Sequence, residues 1–240
     1  MSSFSAKLKA RKEIAESTMA FYLERPTDFN FKAGQFFEVT LRNPPETDAE
    51  GNSRTFSIAS APFEEDLMLA TRMRDSAFKR VMKTLPIGAQ LDAEGPYGSF
   101  VLHDDASRPA VFLVGGIGIT PVRSIVMQAA KDKLPHKLYL FYANRRPEDA
   151  AFLEELQRIE RSNPNYKLIG AMTQMENSRR PWHGETGYID RRMIAKFIDD
   201  FTASIYYTVG PPEMVRATRK LLEQIDVTGD SIRVEDFVGY

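Results

Sequence analysis

The 240-residue chain contains no cysteine. That absence removes disulfides, thiolate zinc sites, cysteine-ligated iron–sulfur clusters and a cysteine nucleophile at once. Histidine is nearly as scarce. His103, His136 and His183 lie far apart in sequence and argue against a multi-histidine metal centre, so no metal site is expected. Nor is there an excess of one charge. The 32 Lys and Arg face 33 Asp and Glu, a formal net charge of -1, so no global basic field draws nucleic acid or anionic lipid. Long hydrophobic runs are missing too. The longest apolar-looking stretch, PAVFLVGGIGITPV, is shorter than the roughly 20 residues of a bilayer span, and no membrane insertion is expected. The opening MSSFSAKLKARKEIAEST lacks the apolar segment of a secretory signal, which leaves a soluble, cytoplasmic protein as the expectation. Any redox chemistry here must rest on an organic cofactor.

What is present is enough apolar residue for a packed core, 42% hydrophobic against 27% charged. The length allows one large domain or two small ones. The first hundred residues read as short strands broken by turn residues. Ser5–Arg11, ESTMAFYLE, QFFEVTL, SRTFSIAS, DLMLATRM and QLDAEG are candidate strands, with the polar loop NPPETDAEGN among them. Such punctuation favours a sandwich or small barrel. One helix interrupts it, Ser76–Thr84, with Phe78, Val81, Met82 and Leu85 on one face. After HDDASRP the texture changes to alternating apolar strands and amphipathic helices. AVFLV precedes a helix opening at Pro121, and KLYLFYA precedes a helix over Pro147–Arg161. YKLIGAM precedes a helix over Asp190–Asp199, SIYYTVG one over Pro211–Ile225, and SIRVEDF closes the series. Alternation of this kind implies a parallel sheet covered by helices. The chain therefore divides near Asp105 into a β-rich domain, 1–105, and an α/β domain, 106–240.

Val114-Gly115-Gly116-Ile117-Gly118-Ile119-Thr120-Pro121 follows the first α/β strand and opens a helix. Glycines there let the backbone approach a phosphate, and the helix N-terminus supplies N–H groups and a positive dipole end. The dinucleotide fingerprint G-x-G-x-x-G is broken, because Pro121 stands where its third glycine would fall. Val209-Gly210-Pro211-Pro212 is a second strand-to-helix turn of the same kind. Each alone is compatible with an ordinary tight connection. Both lie at the carboxyl ends of parallel strands, where ligands bind, and together they favour a nucleotide site.

In order, these motifs resemble the ferredoxin–NADP reductase-like superfamily, the two-domain flavin reductases that include flavohaemoglobin reductase modules. The most specific is Arg54-Thr55-Phe56-Ser57-Ile58-Ala59-Ser60, which fits that family's R-x-[YF]-S-x-x-[ST] flavin motif. Glu94-Gly95-Pro96-Tyr97-Gly98, the G-G-I-G-I-T-P turn and V-G-P-P-E-M follow in family order. The resemblance implies a six-stranded antiparallel Greek-key barrel for flavin and a parallel-sheet α/β domain for the nicotinamide nucleotide. It implies that Arg54 holds flavin phosphate, that Phe56 packs on the ring system, and that Ser57 sits at its reactive edge. The flavin's phosphates would also use Thr55, Arg72 and the helix start Ser76-Ala77-Phe78-Lys79, where this chain departs from the family's G-x-x-[ST]. FAD is the expected flavin, with the shorter FMN as the alternative. Glu235 would be the acid beside the hydride-transfer site, and Phe237 or Tyr240 would cover the flavin face. The nucleotide would contact Gly115, Gly116, Gly118, Thr120, Pro121, Asn144, Arg145, Arg146, Gly210 and Pro211. Arg145 and Arg146 favour NADPH by charge, whereas Glu148 and Asp149 suit the ribose hydroxyls of NADH.

The implied activity is hydride transfer from NAD(P)H to flavin, with electrons passed to a separate carrier. Ferredoxin, flavodoxin or an oxygenase component fits, because a cysteine-free chain carries no fused iron–sulfur domain. The alternatives are a reductase of free flavin, quinone or another small-molecule acceptor, and a non-autonomous electron-transfer subunit. Grouping of Arg72, Arg74, Lys79, Arg80 and Lys83 at the flavin edge would favour an acidic protein partner.

Overall fold

The structure, a computed structural model, describes residues 2–236. Six antiparallel strands form the first half: β1 (Ser2–Ala15), β2 (Thr18–Leu23), β3 (Phe36–Leu41), β4 (Ser53–Ser57), β5 (Leu67–Arg72) and β6 (Gln90–Tyr97). Their order is β4-β3-β6-β1-β2-β5. The Ala59 N–H donates to Met68 O at 2.7 Å, joining the chain beyond β4 to β5 and curling the sheet into a Greek-key barrel. Alternate side chains point inward, so Leu8, Phe21, Phe37, Val39, Leu69 and Leu91 fill the interior. The one helix of this half, α1 (Ala77–Thr84), closes an end of that core with Phe78, Val81 and Met82. It starts where the sequence predicts, because the Ser76 Oγ accepts the Lys79 N–H and caps it.

Residues 98–109 lead to the second half. Its sheet is wholly parallel and runs β10-β9-β8-β7-β11-β12. The strands are β7 (Ala110–Gly115), β8 (Leu138–Asn144), β9 (Tyr166–Met172), β10 (Glu185–Thr186), β11 (Ile205–Gly210) and β12 (Ile232–Asp236). Two-sided burial explains their continuous apolar runs. Phe112 and Val114 face α2 (Ile119–Asp132) and α3 (Leu153–Ser162). Val111 and Leu113 face α4 (Arg191–Ala195) and α5 (Pro212–Glu223). The α2 core is continuous with the barrel wall at Ala20, Ala59, Met68 and Phe100, so the halves share an apolar seam.

Three helical expectations need correction. The helix expected over Pro147–Arg161 is a 3-10 turn at Pro147–Asp149 followed by α3. Arg146 holds the Asp149 carboxylate at 2.9 and 3.0 Å, Tyr142 Oη donates to Ala151 O, and Phe152 takes a left-handed φ of 60°. Pro121 is the third residue of α2 rather than the first, a position whose N–H has no intrahelical partner in any case. The helix expected at Asp190–Asp199 covers only Arg191–Ala195, with Asp190 as its cap.

Candidate functional site

In the parallel sheet β7 and β11 are neighbours, yet the helices that follow them pack on opposite faces. Chains diverging from adjacent strand ends leave a crevice at the topological switch. A cleft of about 670 Å³ opens there, at the carboxyl ends of β7, β8, β9 and β11. Gly115, Gly116, Gly118, Asn144, Arg145, Gly210 and Pro211, seven of the residues expected to contact the nucleotide, line it. Part of the glycine pattern has a packing cause. A Cβ on Gly118 would stand 2.7 Å from Val209 O, so only glycine lets the two turns touch. Gly116 differs: its φ is +52° and open space surrounds its Cβ position.

The barrel supplies the opposite wall. Arg72 and Arg74 line the same cleft. Arg72 Nη2 reaches Asp149 O at 3.4 Å, and its buried Nε has no hydrogen-bond partner among the described residues. Arg72, which the resemblance gives to the flavin phosphates, thus shares the cleft with the glycine turn. Arg145 is exposed at the rim, but Arg146 turns away to Glu16 and Asp149. The two acids that compete for the reading of the nucleotide are engaged elsewhere. Glu148 accepts from Ser178 Oγ and the Arg179 N–H, and Asp149 is held by Arg146. Thr120 and Pro121 are buried in α2, where Thr120 Oγ1 donates to Ile117 O. Tyr188, Asp190, Glu213 and Met214 also line the cleft. Glu213 and Met214 close the V-G-P-P-E-M motif, whereas Tyr188 and Asp190 were not expected at the site, although an aromatic directly after Gly187 was a signal that could have flagged Tyr188.

A second constellation sits on the barrel. Arg54 on β4 lies over the Phe78 ring, 5.4 Å from its centroid, and Nη2 pairs with Asp48 at 2.8 Å and Glu50 at 3.0 Å. The Asp48 carboxylate also accepts the Ala77 N–H at the start of α1. Burial, then the nearby Arg74 and Arg54 charges, hold Lys79 below the usual lysine range, so three cations converge at this end of the barrel. Thr55 is exposed, while Phe56 is buried against Phe78. Arg80, one member of the anticipated basic group, is neutralised by Glu46 and Asp75.

Ser57 and Glu235 each hold a buried side-chain oxygen without a hydrogen-bond partner among the described residues, Oγ in the case of Ser57. Glu235 lies on β12 opposite Val209, and its Oε2 is likewise unpartnered. Burial pushes the Glu235 carboxyl up to about 7. Phe237 and Tyr240 lie outside the described residues. Trp182 packs over Gly170 and Gly184, and its Nε1 donates to Glu185 O. Among the described residues no group of three acids or histidines is placed to hold a metal ion, and no helix is long and apolar enough to cross a membrane.

Residues 112–220 match the family model described as the oxidoreductase NAD-binding domain. The chain is 27% identical over 209 residues to a glycine betaine monooxygenase reductase subunit of Chromohalobacter salexigens, covering 86% of this chain and 56% of that protein. It thus spans little more than half the length of that relative. Among solved structures, an Amycolatopsis cytochrome P450 reductase superposes with a TM-score of 0.83 at 21% identity, over 98% of this chain and 70% of the other. A ferredoxin NADP+ reductase from Neisseria gonorrhoeae with bound FAD and NADP gives 0.80 at 20% identity, over 98% of both chains.

Proposed function

We propose that the chain is a member of the ferredoxin–NADP reductase-like superfamily and works as an NAD(P)H-dependent flavoprotein reductase serving a separate electron acceptor. The observation that carries this reading is the cleft itself. A glycine turn at the switch point of a parallel sheet faces two arginines of a barrel that bears its own cationic seat on α1. A flavin held on the barrel by Arg54 and the first turn of α1 would supply the redox chemistry, as acceptor of a hydride and donor of single electrons or pairs.

The residues divide the work. Arg54, with the first turn of α1 at Ser76–Lys79, takes the flavin phosphates: a guanidinium and a helix N-terminus both favour an anion. The orphaned Ser57 hydroxyl takes a polar atom of the flavin ring, because a buried oxygen without a partner otherwise carries an uncompensated desolvation cost. Arg72, Arg74 and the N–H groups after Gly116 neutralise the phosphates of the nicotinamide nucleotide, and Tyr188 at the cleft mouth offers a face for its adenine. Arg145 is the cleft-lining cation at the β8 end, and the acids that would bind ribose hydroxyls are committed to Ser178, Arg179 and Arg146. That balance favours NADPH over NADH. Glu235, with a carboxyl poised near neutrality, holds or releases a proton beside β11.

The divide between flavin part and nucleotide part falls at residue 105. The relatives' names point to an oxygenase component or a ferredoxin as the acceptor, and the cytoplasm, where NADPH is supplied, is the matching compartment. The test is an absorbance spectrum followed by anaerobic titration with NADPH and, on a fresh sample, NADH. Flavin bands should bleach in stoichiometric amounts, with NADPH the tighter reductant. A colourless protein that takes up neither FAD nor FMN and responds to neither nucleotide would overturn the reading.

A further inference from the structure

Asp48 bridges two groups of the barrel that the flavin reading gives to phosphate. Asp48 sits in the polar loop between β3 and β4, in a turn closed by a bridge to Gly51, whose φ is +75°. One carboxylate oxygen, Oδ1, pairs with Arg54 Nη2 at 2.8 Å and accepts the Glu50 N–H at 3.0 Å. The other, Oδ2, accepts the Ala77 N–H at 3.1 Å. One anionic group thus spans the guanidinium of β4 and the first turn of α1, the pair that the flavin reading gives to phosphate. We propose that Asp48 is an intramolecular competitor of the flavin phosphate, holding Arg54 and the α1 N-terminus until the phosphate displaces it. This rests on the flavin reading above.

Helix capping does not account for Asp48, since Ser76 already caps α1 through the Lys79 N–H. Its carboxylate instead meets a donor left over in the first turn, together with a guanidinium. The hold is reversible by construction. Asp48 comes from an exposed stretch of loop, and its carboxylate regains water on leaving, whereas Arg54 stays anchored by Glu50 O, Gly51 O and Ser53 O. The incoming group carries more charge than one carboxylate: about −1.5 to −2 on the phosphate monoester of FMN, and a single charge on each of the two phosphates of FAD. With Arg54, Arg74 and Lys79 converging, phosphate outcompetes the carboxylate, but flavin binding is weakened by the cost of displacing it.

The experiment compares apoprotein and Asp48→Asn for binding of FAD, FMN and phosphate-free riboflavin by flavin fluorescence. Asparagine keeps the side chain's shape and an acceptor oxygen but removes the charge. Asp48→Ser serves the same purpose should the asparagine variant fail to fold. The variant should bind FAD and FMN about tenfold more tightly and riboflavin unchanged. Glu50→Gln, which loses an Arg54 contact but none to α1, should leave all three within about twofold. Unchanged or weaker FAD and FMN binding by the Asp48 variant overturns the proposal and leaves the flavin reading standing. So does a gain that extends to riboflavin, or one that Glu50→Gln reproduces. Wild-type protein that binds none of the three overturns the flavin reading and this inference with it.

Discussion

Ser57 and Glu235 are the residues at which stability and activity should separate. A buried hydroxyl with no partner costs about 1–3 kcal/mol, so removing it relieves the ligand-free fold of a penalty. Ser57→Ala is expected to leave stability unchanged or raise it by about 1 kcal/mol in urea titration, while slowing flavin reduction in stopped-flow measurements. A loss of stability would mean that the hydroxyl has a partner in solution. For Glu235 the sign follows from burial, which raises its carboxyl from the usual 4.5 to about 7 in the folded protein. Below pH 4.5 both folded and unfolded chains carry the proton and the group is neutral to folding. Between about pH 4.5 and about 7 the unfolded chain has already ionised this acid while the folded chain keeps the proton at a half-buried site, so stability is lost across that window. Melting temperature should therefore fall between about pH 4.5 and about pH 7 and level off above it, and Glu235→Gln should flatten that fall. Equal slopes in both proteins would exclude the buried acid as the cause.

At the scale of elements, the glycine turn makes a separable prediction. An alanine at Gly118 would press on backbone, Val209 O and Gly210 Cα, neither of which can move alone. Gly118→Ala should cost about 1–3 kcal/mol and raise KM for the nucleotide by prising the two turns apart. Gly116→Ala meets nothing but carries left-handed strain, so it should cost about 1 kcal/mol by the same urea titration. The position of this turn was readable from sequence, because a glycine run between an apolar strand and an amphipathic helix is a local signal. The same holds for Ser76, whose hydroxyl stands one residue before the apolar face of α1. The break in the Pro147–Arg161 segment was not readable. Its periodicity suits a helix, and only the Arg146–Asp149 pair and the buried Ala150–Ala151 link, fixed by the sheet beside them, turn the chain at Phe152. Asp48 was hidden for a related reason. In a polar loop it has no period, and its partners become neighbours only when the barrel closes.

Over the whole molecule, the cleft exists only because barrel and sheet are held at one relative position, and Arg123 does much of the holding. It sits on α2, almost wholly buried, and donates to Glu64 and Ala59 O of the barrel and to Glu155 of α3. Burial opposes its charge, but the two carboxylates outweigh that and push its pKa up. The Ser124 hydroxyl adds a bond to Ser60 O, and Glu16 N–H donates to Glu148 O across the same seam. No sequence pattern announces this tie, since Arg123 is 59 and 32 residues from its acidic partners. Arg123→Met keeps an apolar stem but loses the guanidinium that lies 5.1 Å from the Phe152 ring centroid, and it leaves Glu64 and Glu155 without their shared cation. Removing one partner from a buried pair costs about 3–5 kcal/mol, and here the two acids would also repel. The variant should melt earlier and transfer hydride more slowly, because the proposed function puts the nicotinamide and the flavin on opposite walls of the cleft. Flavin content should hold, since Arg54 and α1 lie within the barrel alone. If Arg123→Met instead lost its flavin while keeping the wild-type rate per flavin retained, the tie would be a barrel brace rather than the spacer between the two seats.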